Sequence, residues 1–196
     1  MSGVRQRFDD RYYQRFYGTG GAHDQAQIDH LATGVHHMAA WWSIDIRSVL
    51  DVGAGMGFWR DWYRTNHPRV KVRSIDISPY ACATWGHERR DISQWQPPGQ
   101  YDLVVCHSVL QYLDDDKVTR AIEHLGDATR QLLYLELPTR ADLKFLIDPT
   151  ATDLEVFHRT GKWYRAQLEL HFRQVGAGMW VPRQGVPMYE LEAAGR

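Results

Sequence analysis

Seven consecutive residues carry the first chemical signal: Asp51-Val52-Gly53-Ala54-Gly55-Met56-Gly57. Glycines at alternate positions behind an acid let the backbone turn tightly and approach a ligand closely. A dinucleotide fingerprint would require G-x-G-x-x-G. Counted from Gly53 the last glycine falls on Phe58, and counted from Gly55 it falls on Arg60, so that fingerprint fails. A phosphate-cradling P-loop fails as well, because no Gly-Lys-Ser/Thr follows. Three further acids stand beside apolar runs: Asp76 in VKVRSIDI, Asp91 before Ile92, and Glu136 in QLLYLEL. A carboxylate can accept two hydroxyl hydrogen bonds with good geometry. His107 and Tyr112 lie in a further run, YDLVVCHSVLQYL, from Tyr101 to Leu113.

Taken in order, these motifs resemble those of the class I S-adenosylmethionine-dependent methyltransferases, of the small-molecule type. The resemblance spans Arg47 to Leu137 and rests on the acidic-x-Gly-x-Gly-x-Gly loop, on Asp76, on Asp91-Ile92 and on the Tyr101-Asp102 strand. It implies S-adenosylmethionine as cofactor and S-adenosylhomocysteine as product. It also implies a cofactor site in which Asp51, Gly53, Ala54, Gly55, Gly57 and Phe58 surround the amino-acid portion. Asp76 and Ile77 would then hold the ribose, Asp91 and Ile92 the adenine, and His107 and Val109 the wall after the fourth strand.

Methyl transfer is an in-line displacement, so holding nucleophile, methyl and sulfur collinear supplies much of the acceleration. A hydroxyl or a protonated amine acceptor also needs a general base. His107 and Tyr112 are the candidate catalytic residues. His107 is either that base or a hydrogen-bonded histidine shaping the adenosine pocket. Tyr112 falls where many family members carry histidine, and either meets substrate or packs on the glycine-loop helix. Glu136 is a base, a substrate-orienting acid or a cap. Two other classes stay in view: a catalytically silent cofactor-binding or regulatory protein of the same fold, and a nucleotide-dependent oxidoreductase, which Phe58 and Arg60 disfavour.

For these residues to meet, the chain must bring them to one edge of a sheet. Arg47–Val52 reads as a strand buried on both faces, Phe58–Asn66 as a helix stopped by Pro68, and Val70–Ile77 as a second strand. Pro79–Trp85 is a helix with Ser78 as N-cap and proline at its first position. A short stretch at Arg89–Ile92 leads to a strand at Tyr101–Ser108, a helix at Asp115–Thr129 and a strand at Gln131–Leu137. Gln25–Trp42 adds a helix upstream and Trp163–Phe172 one downstream, and Val175–Val181 with Met188–Leu191 forms a closing hairpin or strand pair. The alternation predicts an α/β, doubly wound, mostly parallel sheet with helices on both faces and an antiparallel strand near the C-terminus. This is the Rossmann-like methyltransferase fold. A single domain over 1–196 is expected: an aromatic lid segment 1–24, a cofactor-binding core 25–137, a variable substrate cover 138–162 and a closing segment 163–196.

Composition bounds the partners. The chain has 196 residues, with Lys+Arg 23 against Asp+Glu 24, a net charge of −1. It therefore lacks the long-range field of nucleic-acid binders and polybasic membrane proteins. The Asn/Asp-Pro-Pro-aromatic motif of amino-methylating nucleic-acid enzymes is replaced by Cys106-His107-Ser108-Val109. A small-molecule acceptor is expected, with no nucleic acid, no membrane and a monomer or homodimer. Only Cys82 and Cys106 are cysteines, and Met1–Tyr17 has no apolar run for a signal sequence, so a cytoplasmic setting is expected. No residue set has metal-ligand spacing, and His36-His37 point about 100° apart on a helix. The aromatic surplus (Trp 8, Tyr 10, Phe 6) falls largely in Phe8–Tyr17 and at Phe157, Trp163 and Tyr164. Tyr13 and Tyr17 share a helical face, as do Tyr12 and Phe16. That segment, followed by Gly18-Thr19-Gly20-Gly21, is either a lid over the sulfonium or a helix packed on the sheet edge. Thr139–Tyr164, with Asp148, Asp153, His158, Arg159, Trp163 and Tyr164, is the second candidate cover, and Glu136, Arg159, Trp163 and Tyr164 are the candidate substrate residues.

Overall fold

Strand residues of alternating burial direction build two cores. In the computed structural model, which describes residues 7–17 and 24–189, the strands are β1 (Ser48–Val52), β2 (Lys71–Asp76), β3 (Glu88–Arg89), β4 (Tyr101–His107), β5 (Thr129–Glu136), β6 (Phe172–Gly176) and β7 (Met179–Pro182). The helices are α1 (Asp10–Tyr17), α2 (Gln25–Trp41), α3 (Phe58–Asn66), α4 (Pro79–Trp85), α5 (Asp115–Ala128), α6 (Arg140–Phe145) and α7 (Gly161–Leu168), with a 3₁₀ turn at Leu110–Tyr112. Leu50, Val52, Val104, Cys106, Leu133 and Leu135 face α5 and α7. Their neighbours Val49, Leu103, Val105, Leu132 and Tyr134 face α2 and α3. Period-two alternation with apolar residues on both sides is what a sheet covered on both faces demands.

The seven strands run in the order β3-β2-β1-β4-β5-β7-β6. β1 pairs in parallel with β2 and with β4, and β7 is antiparallel to both β5 and β6. Strand order therefore reverses between β1 and β4, where a crevice opens at their carboxyl ends. Val52 sits opposite Cys106, so the loop leaving β1 and the His107-Ser108 exit of β4 lie side by side.

Asp102, in the Tyr101-Asp102 motif, works at the far end of the sheet. Its carboxylate accepts from Arg47 N, Ser48 N and Ser48 Oγ at 2.9–3.0 Å and from Arg130 Nη1 at 2.9 Å. Burial alone would raise its pKa, but these donors hold it below the usual carboxylate value. It ties β1, β4 and β5 together and is not part of the site.

Boundaries at α3 and α4 match the sequence reading, because Ser78 and Pro79 fix the start of α4 and His67-Pro68 end α3. Three expectations change. The helix expected at Trp163–Phe172 ends at Leu168, and Phe172 is buried from β6 instead. Leu168 and Phe172 are four apart, so a tight turn at Leu170-His171 imitates helical spacing. The second strand of the closing hairpin is Met179–Pro182, reached through Gly176-Ala177-Gly178, all at positive φ (101°, 47° and 74°). Met188 and Tyr189 belong to no strand, and Glu190 and Leu191 lie outside the described residues, as do Gly18–Gly21. Within Thr139–Thr160, where no period is visible, α6 forms because Thr139 and Asp142 make a reciprocal cap. Among the described residues, no helix is long and apolar enough to cross a membrane.

Candidate functional site

The glycine loop is held from behind. Gly53 N and Ala54 N both donate to Ile75 O at 2.9 and 3.0 Å, Gly55 N to Asp76 Oδ2 at 2.9 Å, and Gly57 N to Ala54 O at 2.7 Å. Those amides thus bind β2 and the loop itself, so a ligand carboxylate would meet Met56 and the first amides of α3. Gly53, Gly55 and Gly57 have φ of 68°, 56° and 85°, the left-handed region that favours glycine. A Cβ on Gly53 would lie 2.3 Å from Val109 Cγ2. Gly57 is the N-cap of α3 and lies against Arg60.

Asp51 is buried, and its Oδ2 has no hydrogen-bond partner among the described residues. Burial, reinforced by the Asp76 charge, pushes its pKa to about 7, although Arg60 opposes the shift. A buried carboxylate with an orphaned oxygen lacks a cation. Asp51, Gly53, Ala54, Gly55, Phe58, Trp59 and His107 line a small cavity of about 40 Å3 at this point.

Asp76 closes β2 with Oδ1 accepting from Ser78 N at 2.8 Å, and burial again pushes its pKa up. With Ile77, Val109, Tyr13 and Tyr17 it lines a second cavity of about 110 Å3. The roof over this cavity is α1. Tyr13 stacks on Tyr80 (5.8 Å between centroids) and meets Trp85 edge-on at 4.9 Å, while Ser78 Oγ donates to Phe8 O at 2.6 Å. Tyr13 and Tyr17 share a face at 5.6 Å, as do Tyr12 and Phe16 at 5.1 Å. The aromatic segment is therefore placed over the site.

A third cavity, of about 720 Å3, is lined by Tyr12, Phe16, Tyr112, Gln111, Glu136 and the segment from Pro138 to Asp153. Tyr17 and Ser108 line all three cavities, so the cavities adjoin one another. Ser108 turns sharply out of β4, at φ 57°, and donates its N–H to Glu136 O at 2.7 Å. Tyr12 and Tyr112 share a hydroxyl–hydroxyl hydrogen bond of 2.9 Å, and burial raises the Tyr112 pKa to about 12. Arg7 ties α1 to the cover through Asp153 at 2.9 Å.

His107 receives the Trp59 indole N–H on Nδ1 at 3.4 Å. An indole N–H only donates, so the neutral imidazole carries its proton on Nε2, 3.8 Å from Glu136 Oε1. No ring lone pair then remains to take a substrate proton, and this arrangement makes His107 a wall rather than a base. Glu136 also accepts the Tyr134 hydroxyl.

Several expected residues stand elsewhere. The Asp91 carboxylate accepts from Ser93 N, Ser93 Oγ and Gln94 Nε2, while Ile92 is buried in the core, and neither lines these cavities. Arg159, Trp163 and Tyr164, expected at the substrate, do not line these cavities. The Arg159 guanidinium is engaged by Asp115 Oδ1 and Leu113 O at 2.7 Å and by the Tyr164 hydroxyl at 3.1 Å, and lies 4.8 Å over Trp163. It clamps the cover to the start of α5.

The structure also adds residues that no motif announces. His87 bridges Ser74 Oγ (2.9 Å) to Gly55 O (3.0 Å) and touches Arg60, so a buried network buttresses the glycine loop. Tyr80 and Trp85 complete the roof, and Gln111 enters the large cavity. Their only sequence trait is proximity to the motifs. Among the described residues, no three His, Cys, Asp or Glu converge to hold a metal.

Residues 50–131 match the family model described as a methyltransferase domain. No curated protein sequence matches the chain. Solved structures do, at low identity. An S-adenosylmethionine-dependent methyltransferase from Clostridium acetobutylicum aligns with TM-score 0.60 and 11% identity over 79% of this chain and 90% of that one. Magnesium protoporphyrin IX methyltransferase from Synechocystis aligns with TM-score 0.57 and 17% identity over 91% and 95%. An O-methyltransferase family protein from Burkholderia thailandensis aligns with TM-score 0.56 and 11% identity over 84% of this chain, which spans only 59% of its length. The sheet order is that of the Rossmann-like methyltransferase fold, and the glycine loop lies inside the segment that matches the methyltransferase-domain model. The matched segment carries the glycine loop, Asp76 and β4, while α1 and the cover lie outside it.

Proposed function

We propose that this chain transfers a methyl group from S-adenosylmethionine to a hydroxyl or amino group of a small molecule. The adjacency of the three cavities carries this reading: the glycine-loop and Asp76 cavities share Tyr17 and Ser108 with a chamber large enough for an acceptor. The residues fit the cofactor. Asp51, with its orphaned oxygen, suits the α-ammonium; Met56 and the amides opening α3 suit the carboxylate; and Asp76 suits the ribose hydroxyls. When bound, the cofactor supplies a sulfonium-activated methyl, and the protein supplies orientation. Tyr13 and Tyr17 exclude water over the site and present ring faces that favour a cation. Tyr12, Tyr112 and Glu136 face the acceptor side. A monomer or homodimer in a reducing, cytoplasmic setting agrees with the free thiols of Cys82 and Cys106.

Calorimetric titration with S-adenosylhomocysteine, joined to an acceptor screen with labelled methyl donor, tests the reading. Clear binding, strongly weakened in Asp76→Ala, together with label transfer to a metabolite pool, is expected. Unchanged binding in Asp76→Ala removes the ribose assignment. Binding without label transfer to any acceptor favours the silent, regulatory reading.

A further inference from the structure

We propose that the acceptor is an amine, received as its ammonium by the chamber beside β4 and β5 and methylated on nitrogen; this rests on the methyltransferase reading above. Among the described residues, four acids line that chamber, Glu136, Asp142, Asp148 and Asp153, and no lysine or arginine does. The nearby guanidinium of Arg7 is held by Asp153 at 2.9 Å and lies 4.9 Å over the Tyr112 ring. One acid is thereby neutralised, and a wall ring already accepts a cation. Asp142 and Asp148 each engage one oxygen in local turns, with Thr139 and with Thr150.

An independent observation points the same way. Gln111 is 3% exposed, lines the chamber, and its Oε1 has no hydrogen-bond partner among the described residues. A buried carbonyl oxygen without a donor is costly, and a ligand N–H relieves that cost. An ammonium satisfies both features, because it donates to Gln111 and carries the charge the acids favour. A hydroxyl satisfies only the first, and a carboxylate neither. The rings of Tyr12, Phe16 and Tyr17 supply apolar area and cation-facing surfaces for the rest of the molecule.

Glu136 is placed to act on the nitrogen. It lies in the chamber, beside His107 and the Ser108 passage to the glycine loop. The ammonium gives one proton to the Glu136 carboxylate, which frees the nitrogen lone pair. That pair forms the new N–C bond as the C–S bond breaks, and the C–S electron pair stays on sulfur as a thioether. The product is a methylammonium, and the proton on Glu136 returns to water.

The test uses the full chain and matched skeletons: phenethylamine, 2-phenylethanol and phenylacetate, then hexylamine, hexanol and hexanoate. Each is titrated calorimetrically with and without S-adenosylhomocysteine. Amines are expected to bind about tenfold or more tightly than the alcohols of the same skeleton, the effect of one charge-assisted hydrogen bond, with the acids weakest. Glu136→Gln and Gln111→Leu should each reduce that preference about tenfold, with thermal unfolding and S-adenosylhomocysteine affinity retained. In Glu136→Gln the ammonium must lose its proton to water instead, so the methylation rate should fall near neutral pH and recover as pH rises. Alcohols or acids binding as well as amines, no amine binding in either series, or undiminished preference in both variants overturns the proposal. Amine binding without S-adenosylhomocysteine binding would instead overturn the methyltransferase reading.

Discussion

Replacing Asp51 by asparagine removes one buried charge while keeping the oxygen that faces the Arg60 amide. In the ligand-free protein the Asp51 pKa is raised from 3.8 to about 7, first by burial and then by the Asp76 charge. A carboxyl with a raised pKa binds its proton more tightly in the folded state. Its stabilising contribution is therefore present below the unfolded value, near 4, and is lost as pH rises through about 7. The displacement corresponds to about 4 kcal/mol between the two ends of that window. Asparagine stands in for the protonated form at every pH. Asp51→Asn and wild type should be nearly equal in stability only below about pH 4, and urea unfolding at pH 5 should already favour the variant by about 1–2 kcal/mol. At pH 8 the variant should be more stable by up to about 4 kcal/mol. S-adenosylhomocysteine binding should run the other way. In wild type its affinity rises with pH through 7 as the carboxylate forms opposite the ligand ammonium, and in the variant it stays low and flat. Wild-type stability that does not fall relative to the variant between pH 5 and 8 would refute the claim that Asp51 is an uncompensated buried acid.

Gly53→Ala combines left-handed backbone strain of about 1 kcal/mol with overlap on Val109 costing about 1–3 kcal/mol. In a Val109→Ala background the 2.3 Å contact disappears, and calorimetric denaturation should show only the smaller cost. Equal costs in both backgrounds would mean the close approach is not why glycine stands there. Arg159→Met should lower urea stability by about 1–3 kcal/mol, with the exposed side of Asp115 limiting the loss. Affinity for S-adenosylhomocysteine should not change, and a selective loss of acceptor binding with normal stability would return Arg159 to the substrate. Ser78→Ala removes the α4 cap and the donor to Phe8 O, at about 1 kcal/mol. Protease cleavage near the N-terminal aromatic segment should speed up, and unchanged cleavage would show that the roof is held by its rings alone.

Legibility in the chain followed locality. Ser78, Pro79 and Pro68 act within one or two turns of backbone, so α3 and α4 could be bounded from the residues themselves. The Asp51 and Asp76 positions were legible because strand ends and glycine loops are short-range features. The hydrogen-bond partners of Asp91 and Arg159 were not legible, for the opposite reason. A charged side chain takes its role from what lies opposite it, and the partners of Arg159 stand at Asp115 and Leu113, more than forty positions away.

By itself the order of residues determined the parallel sheet, the crevice after β1 and β4, the acids that flank it and the family to which those motifs are similar. These follow from hydrophobic period and backbone stereochemistry, which each short stretch carries within itself. Only the tertiary structure decided that the loop amides serve β2, that the Trp59 indole fixes the His107 proton, that α1 roofs the cavities and that Gln111 is left without a donor. Those outcomes depend on desolvation and on pairing between distant segments, and both exist only once the chain has closed on itself.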